Sequence, residues 1–138
     1  MNAEDVAPYA GVGACLALLA AFAAPYLLVT SPEAPLTAYY GAGPIGANAV
    51  AFFSLVAVVV FLAGRRGRTE PDLAAGIALV LGVATLLVAL VWALSVDETV
   101  LFSFPASASW IEFHPWVVVG VSALVPAAAG VYARAVLN

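Results

Sequence analysis

Long apolar stretches separated by short polar ones dominate the sequence. Four of them qualify as spans, over residues 6–29, 45–64, 73–96 and 116–137. A membrane-spanning helix needs roughly 20 apolar residues, because each adds about 1.5 Å along the axis and the hydrocarbon layer is about 30 Å thick. The pattern therefore predicts an all-α membrane protein. We expect a bundle of four transmembrane helices that forms a single integral membrane domain over residues 1–138.

The only strongly charged run, residues 65–72, lies between the second and third stretches. Gly64 can end the second helix with a left-handed cap. Thr69 can cap the third helix, which has Pro71 in its first turn and Asp72 three residues after the cap. So short a connection predicts that the two helices are antiparallel neighbours.

The composition supports the same class of protein. The chain is 65% hydrophobic and only 9% charged, with a mean hydropathy of +1.11. Soluble domains carry about 25% charged residues. The polar residues are too few to cover the surface of a soluble domain, so a membrane location is expected.

Arginine placement sets the predicted orientation. The topology-setting residues are Arg65, Arg66, Arg68 and Arg134. The positive-inside rule places all of them on the cytoplasmic side, which predicts a multi-pass protein of the cell membrane with both termini in the cytoplasm. The connections on the outer side are acidic instead, with Glu33, Asp97, Glu98 and Glu112.

The outer connections have the composition of strands. Residues 99–104 and 109–113 are rich in β-branched and aromatic side chains, and a four-residue turn that begins at Pro105 separates them. A two-stranded hairpin gains stability from a third strand, and residues 36–40 offer one. We therefore expect a small extracellular β-hairpin or three-stranded sheet built from the two outer loops.

Residues that carry chemistry are scarce. The four stretches have no Asp, Glu, Lys, Arg or His in their interiors, although proton relays and ion pathways are built from such groups. A single His cannot supply both axial ligands of a haem, and a single Cys cannot build a cysteine metal site. Neither HExxH nor GxSxG occurs, so the sequence has no recognisable motif for hydrolysis. We expect no enzyme activity, no catalytic residue, no cofactor or metal ion, and no nucleic-acid partner.

Two polar groupings allow alternative interpretations. Glu112 and His114 form a candidate outer polar cluster that could bind a divalent cation, although solvated loop charges explain them better because no ligand spacing is present. The run from Arg65 to Arg68 could contact anionic lipid headgroups, although a topology signal alone explains it.

Stripes of small residues favour close helix packing. They occur on the first helix at Gly13, Ala17 and Ala21 and on the third at Ala75, Gly82 and Ala89. The second outer loop adds a candidate outer interaction surface of aromatic residues, namely Phe102, Phe104, Trp110 and Phe113. Together these features predict a small non-enzymatic subunit or scaffold.

The expected partners are membrane lipids and another membrane protein or a second copy of the chain. The alternative function is a transport component or channel for a neutral or apolar small molecule. It would need a continuous cavity lined by the Gly positions and by Ser54, Thr85 and Ser122, which lie on three different predicted helices.

Five short motifs are spread over nearly the whole chain. They are AAPY at 23–26, YYGAGP at 39–44, AGRR at 63–66, LVWAL at 90–94 and EFHPW at 112–116. In these motifs the chain resembles small haloarchaeal four-span membrane proteins of unassigned function. The resemblance implies an archaeal, halophilic source and supplies no site residues.

Overall fold

The computed structural model describes residues 2–29 and 34–137, with the backbone alone for Ser107. These residues form seven α-helices and one 3₁₀ helix. In chain order the elements are α1 (Ala3–Leu28), α2 (Leu36–Tyr40), α3 (Asn48–Arg65), α4 (Pro71–Ser95), α5 (Glu98–Phe102), the 3₁₀ helix (Ala106–Glu112), α6 (His114–Ser122) and α7 (Leu124–Leu137).

Within the described residues, four helical segments are long and apolar enough to cross a membrane. They are α1, α3, α4 and the combined segment His114–Leu137, with mean hydropathies between 1.8 and 2.7. Their ends lie within a few residues of the four predicted spans. Large apolar side chains such as Leu55, Val80 and Leu87 are exposed on the outside of the bundle. Helices that are apolar on every face are typical of membrane spans.

The four long segments form a ring in which each packs against two neighbours. α1 contacts α3 and the α6–α7 segment, and α4 contacts the same two from the opposite side. We call the end where α3 ends and α4 begins the arginine end. The opposite end, where α2, α5 and the 3₁₀ helix lie, is the aromatic end.

The predicted extracellular β-hairpin or three-stranded sheet was wrong. No strand occurs in residues 2–29 or 34–137, and the segments assigned to it are helical. Residues 36–40 form α2, while the two arms of the supposed hairpin form α5 and the 3₁₀ helix. The fold class is therefore all-helical in the described part of the chain.

Burial explains why helices replace strands in this region. Tyr39 and Tyr40 are adjacent and both buried, whereas neighbouring residues of a strand point to opposite faces. After Pro105, the buried positions Ala108, Ile111 and His114 follow at three-residue spacing. Residues three apart lie on the same side of a 3₁₀ helix, so this spacing brings the three positions to the core where the segment runs into α6.

The turn at the arginine end differs from the prediction in its caps. Gly67, not Gly64, has the left-handed conformation, with φ of +75°. The Arg68 N–H donates to the Ala63 carbonyl at 3.0 Å and the Gly67 N–H to that of Gly64, which is a Schellman motif. At the start of α4, Glu70 and not Thr69 occupies the N-cap position, and Pro71 follows in the first turn.

The fourth span is interrupted at Ala123, between α6 and α7. Pro126 has no N–H for the Ser122 carbonyl, so one bond of the helix ladder is missing there. Gly82 of α4 packs against this point: a Cβ on Gly82 would lie 2.7 Å from the Pro126 nitrogen. The close approach of two backbones requires glycine at this position.

Candidate functional site

Helix α2 folds over the aromatic end of the bundle and carries two tyrosines into it. It ends at Gly41, whose N–H donates to the Thr37 carbonyl. Gly43 and Gly46, with φ near +79° and +78°, then turn the chain towards α3. Tyr39 is fully buried and Tyr40 is 2% exposed. This short helix therefore packs into the end of the bundle through its two tyrosines and is not a surface loop.

Both ring nitrogens of His114 have hydrogen-bond partners. Nε2 lies 2.5 Å from the Ala21 carbonyl oxygen, and Nδ1 lies 2.5 Å from the Tyr39 hydroxyl. A carbonyl oxygen can only accept, so Nε2 carries the hydrogen. In the neutral ring Nδ1 is then an acceptor, and the Tyr39 hydroxyl donates to it. The contacts thus assign the tautomer.

Pro25 explains why the Ala21 carbonyl is available to a side chain. In an unbroken helix this carbonyl would accept from the N–H four residues later, which is residue 25. Proline has no N–H, so the oxygen needs another donor. His114, 93 positions further along the chain, supplies it. We call the chain of contacts from Tyr39 through His114 to Ala21 the histidine clasp.

Two further hydrogen bonds fix α2 in place. The Trp92 indole Nε1 donates to the Tyr39 carbonyl at 2.8 Å, which ties α2 to α4. The Tyr40 hydroxyl donates to the Phe22 carbonyl at 2.6 Å, which ties α2 to α1. Since an unpaired buried polar group costs about 1–3 kcal/mol, these bonds specify how α2 docks.

Aromatic rings fill the space around these bonds. Tyr26 stacks on Tyr40 with ring centroids 4.2 Å apart, and Tyr39 meets Trp92 edge to face at 5.2 Å. Trp110 meets the His114 ring edge to face at 6.1 Å. Each such pair is worth about 0.5–1.5 kcal/mol beyond the area that it buries. The aromatic cluster consists of Phe22, Tyr26, Tyr39, Tyr40, Trp92, Phe104, Trp110 and His114.

Burial raises the pKa of the Tyr39 hydroxyl, and the neighbouring Tyr40 raises it further. The pKa of Tyr40 is raised in the same way, by burial first and then by Tyr26. Both phenols therefore stay protonated well above neutral pH and remain donors. Within the cluster, the Tyr39 hydroxyl, the Tyr40 hydroxyl and the Trp92 indole N–H each donate to a buried acceptor.

The predicted outer interaction surface is divided between core and surface. Phe102 and Phe113 are each 69% exposed, whereas Phe104 is buried at 7%. Trp110 is half-buried against His114. Two of the four aromatic residues thus belong to the aromatic cluster, and the other two are available to a partner or to lipid.

The predicted outer polar cluster is separated by the structure. Glu112 is exposed, while His114 is buried in the histidine clasp. Asp97 caps α5 by accepting from the Thr99 N–H, and Glu98 is exposed. Glu33 lies outside the described residues. Among the described side chains, no group of three or more His, Cys, Asp or Glu is placed to hold a metal ion.

The topology-setting arginines lie at the arginine end and differ in their surroundings. The Arg65 guanidinium lies over the Tyr9 ring, 5.4 Å from its centroid. Arg66 and Arg68 are exposed beside a shallow apolar groove on α3. Arg134 is exposed on α7.

The three hydroxyl residues assigned to a transport path are fully buried. Each hydroxyl donates to a carbonyl of its own helix: Ser54 to Val50, Thr85 to Leu81 and Ser122 to Val119. Such bonds satisfy the hydroxyl locally. The three hydroxyl groups are therefore hydrogen-bonded within their own helices.

A larger groove of about 460 Å³ opens on the side of the bundle between α1 and α7. Its walls are formed by small or aliphatic residues, and the lining residues on α1 include Gly13 and Ala17. We call it the α1–α7 groove. A Cβ on Gly13 would meet nothing within 4 Å, so this part of the predicted small-residue stripe faces open space.

The stripe predicted on the third helix behaves in the opposite way. Ala75 and Ala89 are fully buried, and Gly82 touches the backbone of Pro126. This stripe packs the bundle internally. The stripe on α4 therefore brings helices of one chain together, while Gly13 and Ala17 of the α1 stripe are left at the surface.

Sequence reasoning missed the histidine clasp and the buried role of Tyr39 and Trp92. A signal was present, because Pro25 implies a free carbonyl at residue 21 and the chain contains only one His. What the sequence lacks is the distance between them, since the clasp joins positions 21, 39 and 114 across three helices.

Comparison with known proteins places the chain in a family without assigning an activity. No curated protein and no solved structure matches it. The family described as "Family of unknown function (DUF7548)" matches residues 1–137. This agrees with the expectation of a family of unassigned function. The chain therefore belongs to the DUF7548 family of unknown function.

Proposed function

We propose that this protein is a small multi-pass membrane protein that acts by interaction, as a non-enzymatic subunit or scaffold. The observation that carries the proposal is the α1–α7 groove, in which Gly13 and Ala17 leave a helix surface uncovered. Small residues on a membrane helix permit another helix backbone to approach closely. The occupant would be a helix of another membrane protein or of a second copy.

The aromatic end supports a secondary role in contact. Phe102 and Phe113 are large, apolar and 69% exposed, beside helices that are locked in place by the aromatic cluster. Exposed aromatic side chains on a rigid base are suited to a partner or to the membrane interface. The alternative of a solute path has less support, because Ser54, Thr85 and Ser122 each bond to their own helix.

The experiment is purification of a tagged full-length chain from its native membrane in mild detergent, followed by mass and composition of what co-elutes. Ala17→Leu is the test variant, because Ala17 lines the groove and is exposed. Gly76→Leu is the control, since Gly76 is exposed on α4, lies outside the groove lining, and has nothing within 4 Å of an added Cβ. We expect a defined complex that A17L disrupts and G76L preserves. A monomer, or equal behaviour of the two variants, would reject the proposal.

The orientation is part of the proposal and has its own test. By the positive-inside rule, the arginine end and both termini would lie in the cytoplasm. A haloarchaeal source is a separate prediction, which rests on the resemblance alone. In a Cys15→Ala background, single cysteines at the exposed positions Asn2 and Ser109 would report the two sides. In intact cells an impermeant maleimide should label the S109C variant and spare N2C. The reverse pattern would invert the topology.

A further inference from the structure

The last turns of α3 carry an apolar strip that ends in two arginines. Val59, Leu62 and Ala63 line a shallow groove of about 200 Å³, with Arg66 and Arg68 at its end. Residues three, four and seven apart share one face of a helix, so Val59, Leu62, Ala63 and Arg66 form a continuous strip. We call it the α3 groove.

The Schellman motif brings the second arginine to this groove. Beyond Arg66 the helix has ended, and an extended chain would carry Arg68 away. Gly67, with φ of +75°, reverses the backbone, and the Arg68 N–H bonds to the Ala63 carbonyl at 3.0 Å. Arg68 is thereby held next to the residues that form the groove.

The three neighbouring arginines point to different surroundings. Arg65 faces the bundle, where its guanidinium covers the Tyr9 ring. Arg66 and Arg68 are exposed and line the α3 groove. A topology signal needs only the number of positive charges on one side. It does not require two of them to be gathered at the end of an apolar groove.

An apolar groove with two arginines at its end is suited to an amphiphilic anion. Guanidinium groups bind phosphate oxygens in a bidentate manner, and the aliphatic floor favours a hydrocarbon chain. With 18 residues, α3 is about 27 Å long, so its two ends lie near the two edges of a hydrocarbon layer. The arginines would then stand at headgroup level, with the groove running into the apolar layer beneath them.

We propose that the α3 groove binds an anionic phospholipid in the leaflet at the arginine end, with its phosphate on Arg66 and Arg68 and its acyl chain over Val59 and Leu62. The inference goes beyond the proposed interaction role, which rests on α1 and α7. It assigns a ligand class and a site on a different face of the bundle.

The test measures lipid binding to the full-length, delipidated protein in neutral detergent by native mass spectrometry. Phosphatidylglycerol is compared with phosphatidylcholine, whose headgroup has no net charge. We expect one phosphatidylglycerol to bind more tightly than phosphatidylcholine. R66Q and R68Q should each weaken it by about fivefold. The matched control R134Q, an exposed arginine outside the groove, should change it by less than about twofold.

Two further arms separate the lipid from its headgroup. Val59 is 66% exposed, so V59W fills the groove without burying a larger side chain in the core. It should lower phosphatidylglycerol binding while both arginines remain. Glycerol 3-phosphate should not compete at concentrations where the lipid saturates. Any of three results would overturn the proposal. They are equal binding of the two lipids, equal losses of binding in R66Q and R134Q, and full competition by glycerol 3-phosphate. Thermal melts of all variants confirm that they are folded.

Discussion

The two ends of the bundle stabilise the fold by different means. At the aromatic end, buried polar atoms pair across helices, as in the histidine clasp and the bond from Trp92 to Tyr39. At the arginine end the chain turns in a short local motif, and Arg66 and Arg68 remain exposed. One end specifies which helices meet. The other leaves Arg66 and Arg68 exposed to the surroundings, while Arg65 covers the Tyr9 ring.

The difference shows how an apolar chain can define one fold. Helices that are apolar on every face have many similar ways to pack, and dispersion alone distinguishes them weakly. A buried donor that must find one particular acceptor excludes most alternatives, because an unpaired group is costly. We therefore expect the largest effect on stability from a substitution at the aromatic end that leaves two buried polar groups unpaired at once.

The largest effect is expected for His114→Ala. The change leaves the Tyr39 hydroxyl and the Ala21 carbonyl without partners and opens a cavity among the aromatic rings. We expect the free energy of unfolding to fall by about 4 kcal/mol, because two groups are left unpaired at about 1–3 kcal/mol each and packing is lost. Reversible unfolding in mixed detergent micelles measures it. Phe113→Ala, at an exposed neighbour, should change stability by less than about 1 kcal/mol.

A smaller effect is expected at the arginine end for Gly64→Ala. A Cβ there would lie 2.7 Å from the Ala74 Cβ and 2.5 Å from the Tyr132 hydroxyl oxygen. Overpacking typically costs about 1–3 kcal/mol, so a net loss of about 2 kcal/mol is expected. Gly76→Ala is the control, because its Cβ would meet nothing within 4 Å. It should stabilise α4 by up to about 1 kcal/mol. Similar results for both glycines would refute the close helix approach.

Tyr39→Phe should lower the free energy of unfolding by about 1–2 kcal/mol. The substitution keeps the ring and its contacts with Trp92 but removes the donor to His114 Nδ1, which is left as an unpaired buried acceptor. The same unfolding measurement applies. Tyr9→Phe, at a tyrosine that is 49% exposed, serves as the control and should be near neutral. If both variants lost equal stability, the hydrogen bond would have no special role.

The smallest effect on stability is expected for the double variant R66Q/R68Q. Exposed charges at the surface contribute about 0–1 kcal/mol. We expect a change in unfolding free energy below about 0.5 kcal/mol in lipid-free detergent, even where anionic lipid binding is lost. A loss as large as that of H114A would mean that both ends determine the fold equally.

The positions of the four long helices could be predicted from the sequence, because the length and apolarity of a span are local properties. The extracellular sheet was wrong because composition alone was used for residues 99–113. The structure buries Ala108, Ile111 and His114 at a three-residue spacing, which is a helical period and not the two-residue period of a strand. The histidine clasp could not be predicted in full, since it depends on contacts among α1, α2 and α6.

The most direct test of the account is the ¹⁵N spectrum of histidine-labelled protein in mild detergent at neutral pH. The chain has one His, so the assignment is unambiguous. The histidine clasp predicts a neutral ring with hydrogen on Nε2 and none on Nδ1. It also predicts that the Nδ1 resonance shifts in Y39F while the Nε2 resonance stays unchanged. A hydrogen on Nδ1, an averaged pair of signals, or a spectrum indifferent to Y39F would contradict the histidine clasp.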